Sequence, residues 1–217
     1  MALKRLTKLA NKFGTDKGTT VDDAHGYTEF YQQFFEKYEN PKILEIGTYK
    51  GASARMFNEF YDGECEIWTC DCANEFSKYV ADMPNVHFIQ LDANDMAWIL
   101  QVKSDLSNIG FDIIIDDASH IWQHQMNLIS GFHSLLNEGG IYIIEDIHYS
   151  RLSCEVRESP LFFLNFLWEN SLITKEENDE LIGKIKDIQI FSRKNHSYEM
   201  DTKWGGRSMT AVITFEK

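Results

Sequence analysis

Five short apolar runs in this sequence each carry acid at or near their last residue. Glu45 lies within Lys42-Ile43-Leu44-Glu45-Ile46, Asp71 follows Glu66–Cys70, and Asp92 follows Val86–Leu91. Asp116-Asp117 follow Phe111–Ile115, and Glu145-Asp146 follow Ile141–Ile144. If the runs are parallel strands, their carboxyl ends form one rim, which is where open α/β sheets bind ligands. Aspartate at a strand-to-helix turn is also a common helix N-cap, a reading that competes at Asp71 and Asp92. It competes less well at the doubled acids, because neighbouring carboxylates repel unless a cation lies between them.

The last two acid pairs predict a metal centre. Asp117, Glu145 and Asp146 offer three hard oxygen ligands of the kind Mg²⁺ or a similar divalent ion takes together with water. Such an ion lowers the pKa of a bound hydroxyl. His120 stands three residues after Asp117, and an imidazole's ordinary pKa suits it to receive the released proton. A histidine that caps the following helix is the competing reading. His124 lies one helical turn further on and is expected to face the same cleft. His133 and His148 are read as structural or surface residues.

The first run leads into Leu44-Glu45-Ile46-Gly47-Thr48-Tyr49-Lys50-Gly51-Ala52-Ser53. Its Gly-x-x-x-Gly spacing fails the dinucleotide fingerprint, because Tyr49 fills the position where a glycine lets the backbone approach a pyrophosphate. No phosphate-loop lysine pattern is present either. An acid two residues before the first glycine, Glu45, suits a ligand ammonium. An acid ending the next strand, Asp71, suits a ribose diol, since a carboxylate accepts from two hydroxyls. S-adenosylmethionine, an amino acid joined to a nucleoside, satisfies both. Gly47, Thr48, Gly51 and Ser53 of the loop, with Asp92 and Asp116 on the rim, complete the candidate cofactor set. Tyr27 joins it from an aromatic N-terminal segment, Thr15 to Tyr31, that reads either as a lid over the cofactor or as an aromatic-rich amphipathic helix.

The elements that must position these residues alternate. Strand candidates at 42–46, 66–70, 86–91, 111–115 and 141–144 are separated by helical patterns, among them Ala52–Tyr61 and Ile121–Leu136. Alternation of this kind implies a parallel sheet with helices on both faces. The apolar triplets of the fourth and fifth runs fit strands buried on both sides. The helix after the fourth run is expected to end at the Glu138-Gly139-Gly140 signal. Residues 1–40 look helical, 156–186 read as one or two helices, and 187–192 with 209–216 read as an antiparallel hairpin at the sheet edge.

Composition bounds the function. The chain has 217 residues, 43% of them hydrophobic, and a formal charge of −13. That length suits one domain with a full core. The acidity disfavours nucleic acid and anionic membranes as partners. No run approaches the roughly 20 apolar residues of a membrane helix, and no apolar stretch follows the basic N-terminus to make a signal peptide. Cys65, Cys70, Cys72 and Cys154 lack zinc-site spacing and are expected to be reduced thiols of a cytoplasmic protein.

The set Leu44-Glu45-Ile46-Gly47, Asp116-Asp117-Ala118-Ser119-His120 and Ile144-Glu145-Asp146 resembles the metal-dependent sugar O-methyltransferases of antibiotic biosynthesis, the macrolide type and its cephalosporin-hydroxylase-like relatives. Thr15-Asp16-Lys17-Gly18 and His25-Gly26-Tyr27-Thr28-Glu29-Phe30-Tyr31 look like that group's entrance segment. The resemblance covers about residues 11–150; it is specific at the two acidic motifs and generic at the glycine loop. It implies a Rossmann-like class I methyltransferase fold, with a seven-stranded, mostly parallel sheet whose last strand is antiparallel. It also implies an SN2 methyl transfer to a hydroxyl. By position, Asp117, Glu145 and Asp146 would hold the metal and His120 would be the base. Glu45, Gly47, Ser53, Asp71 and Asp92 would bind the cofactor, with Asp71 on the ribose and Asp92 near the adenine. At 217 residues the chain is not expected to hold the extra N-terminal domain of the macrolide enzymes.

Three segments are therefore expected in one domain: a helical lid (1–40), a cofactor and metal core (41–150), and acceptor-pocket helices with the hairpin (151–217). The acceptor is a small molecule or sugar. Phe162-Phe163 and Phe166-Leu167-Trp168 offer an apolar face for a homo-oligomer. Methyl transfer to a phosphate or phosphoramidate oxygen is a variant. A non-catalytic S-adenosylmethionine-binding subunit is the contrasting class, disfavoured by a base beside a metal cluster. A nicotinamide oxidoreductase is disfavoured by the missing central glycine.

Overall fold

The computed structural model describes residues 4–22, 24–148, 181, 183–192 and 208–216. Two helices come first, α1 (Arg5–Phe13) and α2 (Thr28–Phe35). They are followed by β1 (Lys42–Ile46), α3 (Ala52–Phe60), β2 (Glu66–Asp71), β3 (Val86–Gln90), α4 (Met96–Leu106) and β4 (Phe111–Asp116). Then come α5 (Trp122–Phe132), β5 (Leu136–His148), β6 (Ile185–Ser192) and β7 (Ser208–Phe215). The strand order is β3-β2-β1-β4-β5-β7-β6, one seven-stranded sheet in which β7 runs antiparallel to β5 and β6. Fold class and strand number agree with the sequence reading.

The chain divides into two compact units, Met1–Leu91 and Asp92–Ser192 with the strand near the C-terminus. In the first, β1, β2 and β3 are parallel, with Ile43 opposite Ile67 and Ile67 opposite Val86. Ile43, Leu44 and Ile67 are fully buried, as expected of strands covered on both faces. α3 buries Ala54, Met56, Phe57 and Phe60, a stripe at helical spacing, and packs against α1.

The described residues between α1 and α2 are not helical, so the N-terminal region holds two short helices. The two motifs of the supposed entrance segment meet each other there. His25 N–H donates to the Asp16 carbonyl (2.6 Å), Gly26 N–H to the Gly18 carbonyl (2.8 Å) and Thr28 N–H to the Lys17 carbonyl (3.1 Å). The aromatics that follow stack inward, with Tyr27, Tyr31, Phe35 and Phe57 joined by ring separations of 6.0, 5.3 and 5.3 Å. All four are buried.

In the second unit β4 and β5 are parallel, with Ile114 opposite Tyr142 and Asp116 opposite Ile144. α4 was not singled out in the sequence; Asp95 caps it by accepting from Trp98 N–H at 3.1 Å, an interaction worth about 1 kcal/mol. α5 ends at Phe132, short of the glycine signal. Gly139 instead lies within the early part of β5 at φ +76°, where the register against β4 shifts between Phe111 and Ile113. The late strands do form an antiparallel pair, but β7 lies between β5 and β6, leaving β6 at the edge. Residues 156–180, Cys154 and the Phe162–Trp168 face lie outside the described residues. Among the described residues, no helix is long and apolar enough to cross a membrane.

Candidate active site

The first unit holds the glycine loop. Gly47 and Thr48 N–H groups both donate to the Cys70 carbonyl, at 2.8 and 3.0 Å, which draws the loop over the end of β2. The Thr48 hydroxyl meets that of Thr69 at 2.7 Å, so Thr48 is engaged within the unit and 2% exposed. Gly47, Tyr49 and Gly51 have φ of 116°, 44° and 68°. The two glycines take that region at no steric cost, whereas Tyr49 is held there against its preference. The holder is Asp71, whose Oδ2 accepts from Tyr49 N–H at 2.9 Å while Oδ1 accepts from Ala73 N–H at 3.1 Å. Asp71 is therefore not a helix cap; it joins the glycine loop to the turn after β2, with lone pairs left on both oxygens. The Tyr49 ring is exposed and meets Phe76 edge-on at 5.5 Å.

Glu45 is fully buried on β1, and Ser53 is buried in the first turn of α3. The Cys70 thiol is pushed up by burial first, then by Asp71 and Glu45, which records negative charge gathered at this end of β1 and β2. Tyr27 is 1% exposed within the aromatic stack, so its ring belongs to the core of this unit.

The second unit holds the acids of the predicted metal centre. Asp117, His120 and Asp146 each present a ligand atom, all within 4.8 Å of one another. His120 Nδ1 is 4.0 Å from Asp146 Oδ2. His120 and Asp146 adopt left-handed backbone at φ 56° and 51°. Such a conformation costs a non-glycine residue of order 1–3 kcal/mol and persists only where its surroundings impose it. Two carboxylates suit a hard divalent cation that retains waters, so the residues present fit Mg²⁺. Glu145, 1% exposed, is outside the group of three. Gln125, which the sequence did not mark, donates its amide to the Glu145 carbonyl at 2.8 Å and fixes the backbone there.

Glu145 and Asp146 do not end their strand, as the apolar run had implied. β5 continues through them because β7 pairs beyond them, with Ile147 opposite Met209 and His148 opposite Ser208. Asp92 accepts from Asn94 N–H at 2.8 Å, a local Asx turn rather than a helix cap. Asp116 is 1% exposed. Its carboxyl is pushed up to about 7 by burial, with Asp117 adding to the rise and the Ala118 N–H opposing it. Tyr142 is fully buried on the same face of β4 and β5, and burial together with Asp116 raises its phenol well above the ordinary value. His124 Nδ1 pairs with the Ser119 hydroxyl at 2.7 Å. His133 Nδ1 meets the Ile129 carbonyl at 2.9 Å and burial lowers its pKa, a structural histidine as the sequence suggested.

Residues 44–147 match the model of a methyltransferase domain. The chain is 30% identical over 154 residues to 8-demethyl-8-alpha-L-rhamnosyl tetracenomycin-C 2'-O-methyltransferase of Streptomyces olivaceus, covering 67% of this chain and 38% of that protein. It is 30% identical over 151 residues to mycinamicin VI 2''-O-methyltransferase of Micromonospora griseorubida, covering 65% of this chain and 36% of that protein. The chain thus spans less than two fifths of the length of these curated relatives. Among solved structures, the MycE methyltransferase of the mycinamycin pathway in complex with Mg, S-adenosylhomocysteine (SAH) and mycinamycin VI superposes with a TM-score of 0.68 at 23% identity, covering 99% of this chain and 55% of that one. A caffeoyl-CoA O-methyltransferase-like structure from Staphylococcus aureus does so with a TM-score of 0.53 at 14% identity, covering 98% and 93%. Glycine loop, Asp-Asp-x-Ser-His motif and Glu-Asp motif all fall inside the matched segment, and through residues 44–147 the chain is similar to methyltransferase domains.

Proposed function

We propose that the protein is an S-adenosylmethionine-dependent, divalent-cation-dependent O-methyltransferase whose acceptor is a sugar hydroxyl. The observation that carries the reading is the convergence of Asp117, His120 and Asp146 within a methyltransferase domain. Relatives named for methylating glycosylated tetracenomycin and mycinamicin support the sugar acceptor. A likeness to a structure containing Mg and SAH supports the cofactors.

In this reading Asp71, Asp92, Glu45 and the loop Gly47–Ser53 receive the cofactor. Asp71 takes the ribose diol, and the Tyr49 and Ala73 N–H groups hold its carboxylate for that purpose. Glu45 would meet the ammonium, and Asp92 is the residue proposed for the adenine. Asp116 keeps the base of the Asp117 turn in place through the Ala118 N–H, 3.4 Å from its Oδ1. Asp117 and Asp146, completed by Glu145, would hold the cation, and a divalent ion there would lower the pKa of the acceptor hydroxyl. His120 receives the hydroxyl proton as the oxygen takes the methyl group and the carbon–sulfur bond breaks, leaving S-adenosylhomocysteine. His120 is reserved for the proton rather than the cation because the carboxylates already supply the charge that Mg²⁺ requires.

The test is methyl transfer from labelled S-adenosylmethionine to a panel of nucleotide-sugars and glycosides, with Mg²⁺ and with EDTA. Label should enter a sugar hydroxyl only with the cation. Full activity in EDTA, or tight NAD binding without S-adenosylmethionine binding, would overturn the proposal.

A further inference from the structure

The register between β5 and β7 shifts at the metal motif. Ile144 faces Ala211 and Ile147 faces Met209, so two residues, Glu145 and Asp146, stand against the single residue Thr210. An extra residue in one strand of an antiparallel pair re-aims the side chains around it and recurs beside active sites. Ile143 faces Val212, and side chains alternate along each strand. Glu145 and Thr210, each two residues from that pair, therefore share one face of the sheet.

Thr210 is fully buried, and its hydroxyl has no hydrogen-bond partner among the described residues. A buried hydroxyl left unsatisfied is costly, and replacing it by an apolar group of the same shape would remove the cost. Thr210 lies beyond the segment that matches the methyltransferase model, which ends at residue 147.

We propose that Thr210 is a positioning residue of the cation site: with a cation held at Asp117 and Asp146, its hydroxyl would donate to the Glu145 carboxylate and keep it turned toward them. The inference rests on the cation site of the proposed function. It explains how Glu145, outside the convergent group of three, completes the ligand set, because residues that hydrogen-bond a ligating carboxylate fix its orientation and tune metal affinity.

The experiment is Mn²⁺ binding to the cofactor-free chain, followed by electron paramagnetic resonance and calorimetry, together with thermal unfolding in EDTA. Thr210→Val should weaken Mn²⁺ binding by about tenfold or more, while unfolding in EDTA at or above the wild-type temperature. Thr210→Ser, which keeps the hydroxyl, should bind as wild type. In a Glu145→Gln background, Thr210→Val should cost nothing further, since the two side chains act as one unit. Wild-type affinity in Thr210→Val, or the same loss in the Glu145→Gln background, would overturn the assignment. If the wild-type chain itself fails to bind Mn²⁺, the cation site falls first and the assignment falls with it.

Discussion

At the scale of single residues, the proposed site would turn on a division of labour between one imidazole and its acidic neighbours. His120 stands within ligand distance of both Asp117 and Asp146, so geometry alone allows it to bind the cation or to take a proton. The two roles separate experimentally. If His120 is the base, His120→Ala retains Mn²⁺ and S-adenosylmethionine affinity while turnover falls about 10²–10⁴-fold. A loss of Mn²⁺ affinity that matches the loss of rate would make it a ligand instead. Asp116 gives a second residue-level expectation. Its folded pKa of about 7 lies above the roughly 3.9 of an unfolded aspartate. Between those values the native state holds the extra proton, so stability is fully present below about pH 4 and falls as pH rises through 7. In EDTA, Asp116→Asn should therefore gain stability over wild type from pH 5 to pH 8 in urea unfolding. Parallel curves for the two proteins would show that the carboxyl is not held protonated.

At the scale of elements, the glycine loop of the first unit and the β5–β7 pair of the second take their shapes by opposite means. The loop relies on backbone that only glycine takes without cost. A Cβ at Gly51 would meet Val80 Cγ1 at 2.8 Å and the Tyr79 carbonyl oxygen at 3.3 Å, at φ +68°. Gly51→Ala should destabilise the fold by roughly 2 kcal/mol, seen as a lower melting temperature, and should weaken cofactor binding by moving Tyr49 away from Asp71. A variant that melts and binds as wild type would show that the loop tolerates the side chain. The β5–β7 pair relies instead on a mismatch, two residues against one. That mismatch sets Asp146 at a left-handed φ where a regular ladder would carry it on along the strand.

At the scale of the whole molecule, a formal charge of −13 makes cation binding a stability question as well as a catalytic one. A cation bound only by the folded chain raises stability by about 2.7 kcal/mol at one hundred times its dissociation constant. Mg²⁺ should therefore raise the melting temperature of wild type, and Asp117→Asn should abolish most of that rise. An equal rise in the variant would mean that Mg²⁺ acts on general surface acidity rather than at Asp117, His120 and Asp146.

Much of this architecture was legible in the residues. β-rich apolar runs with acids near their ends fixed five strands to within a residue or two, except for β5. The glycine spacing located the loop, and Asp-x-x-His with Glu-Asp located the cluster. Those signals are local: period, turn chemistry and helix spacing are written in neighbouring residues. The structure decided what depends on distant segments. Tyr27 lies in an aromatic core because α2 stacks inward on Phe57 of α3. Asp71 serves the loop because Tyr49, far away in sequence, donates to it. β5 runs past its acids because β7 pairs beyond them. No pattern around Thr210 marks it, since its environment is made by a register shift on a strand more than sixty residues earlier. Chain order supplies the chemical groups and their local geometry, while long-range strand pairing chooses which of them share a face.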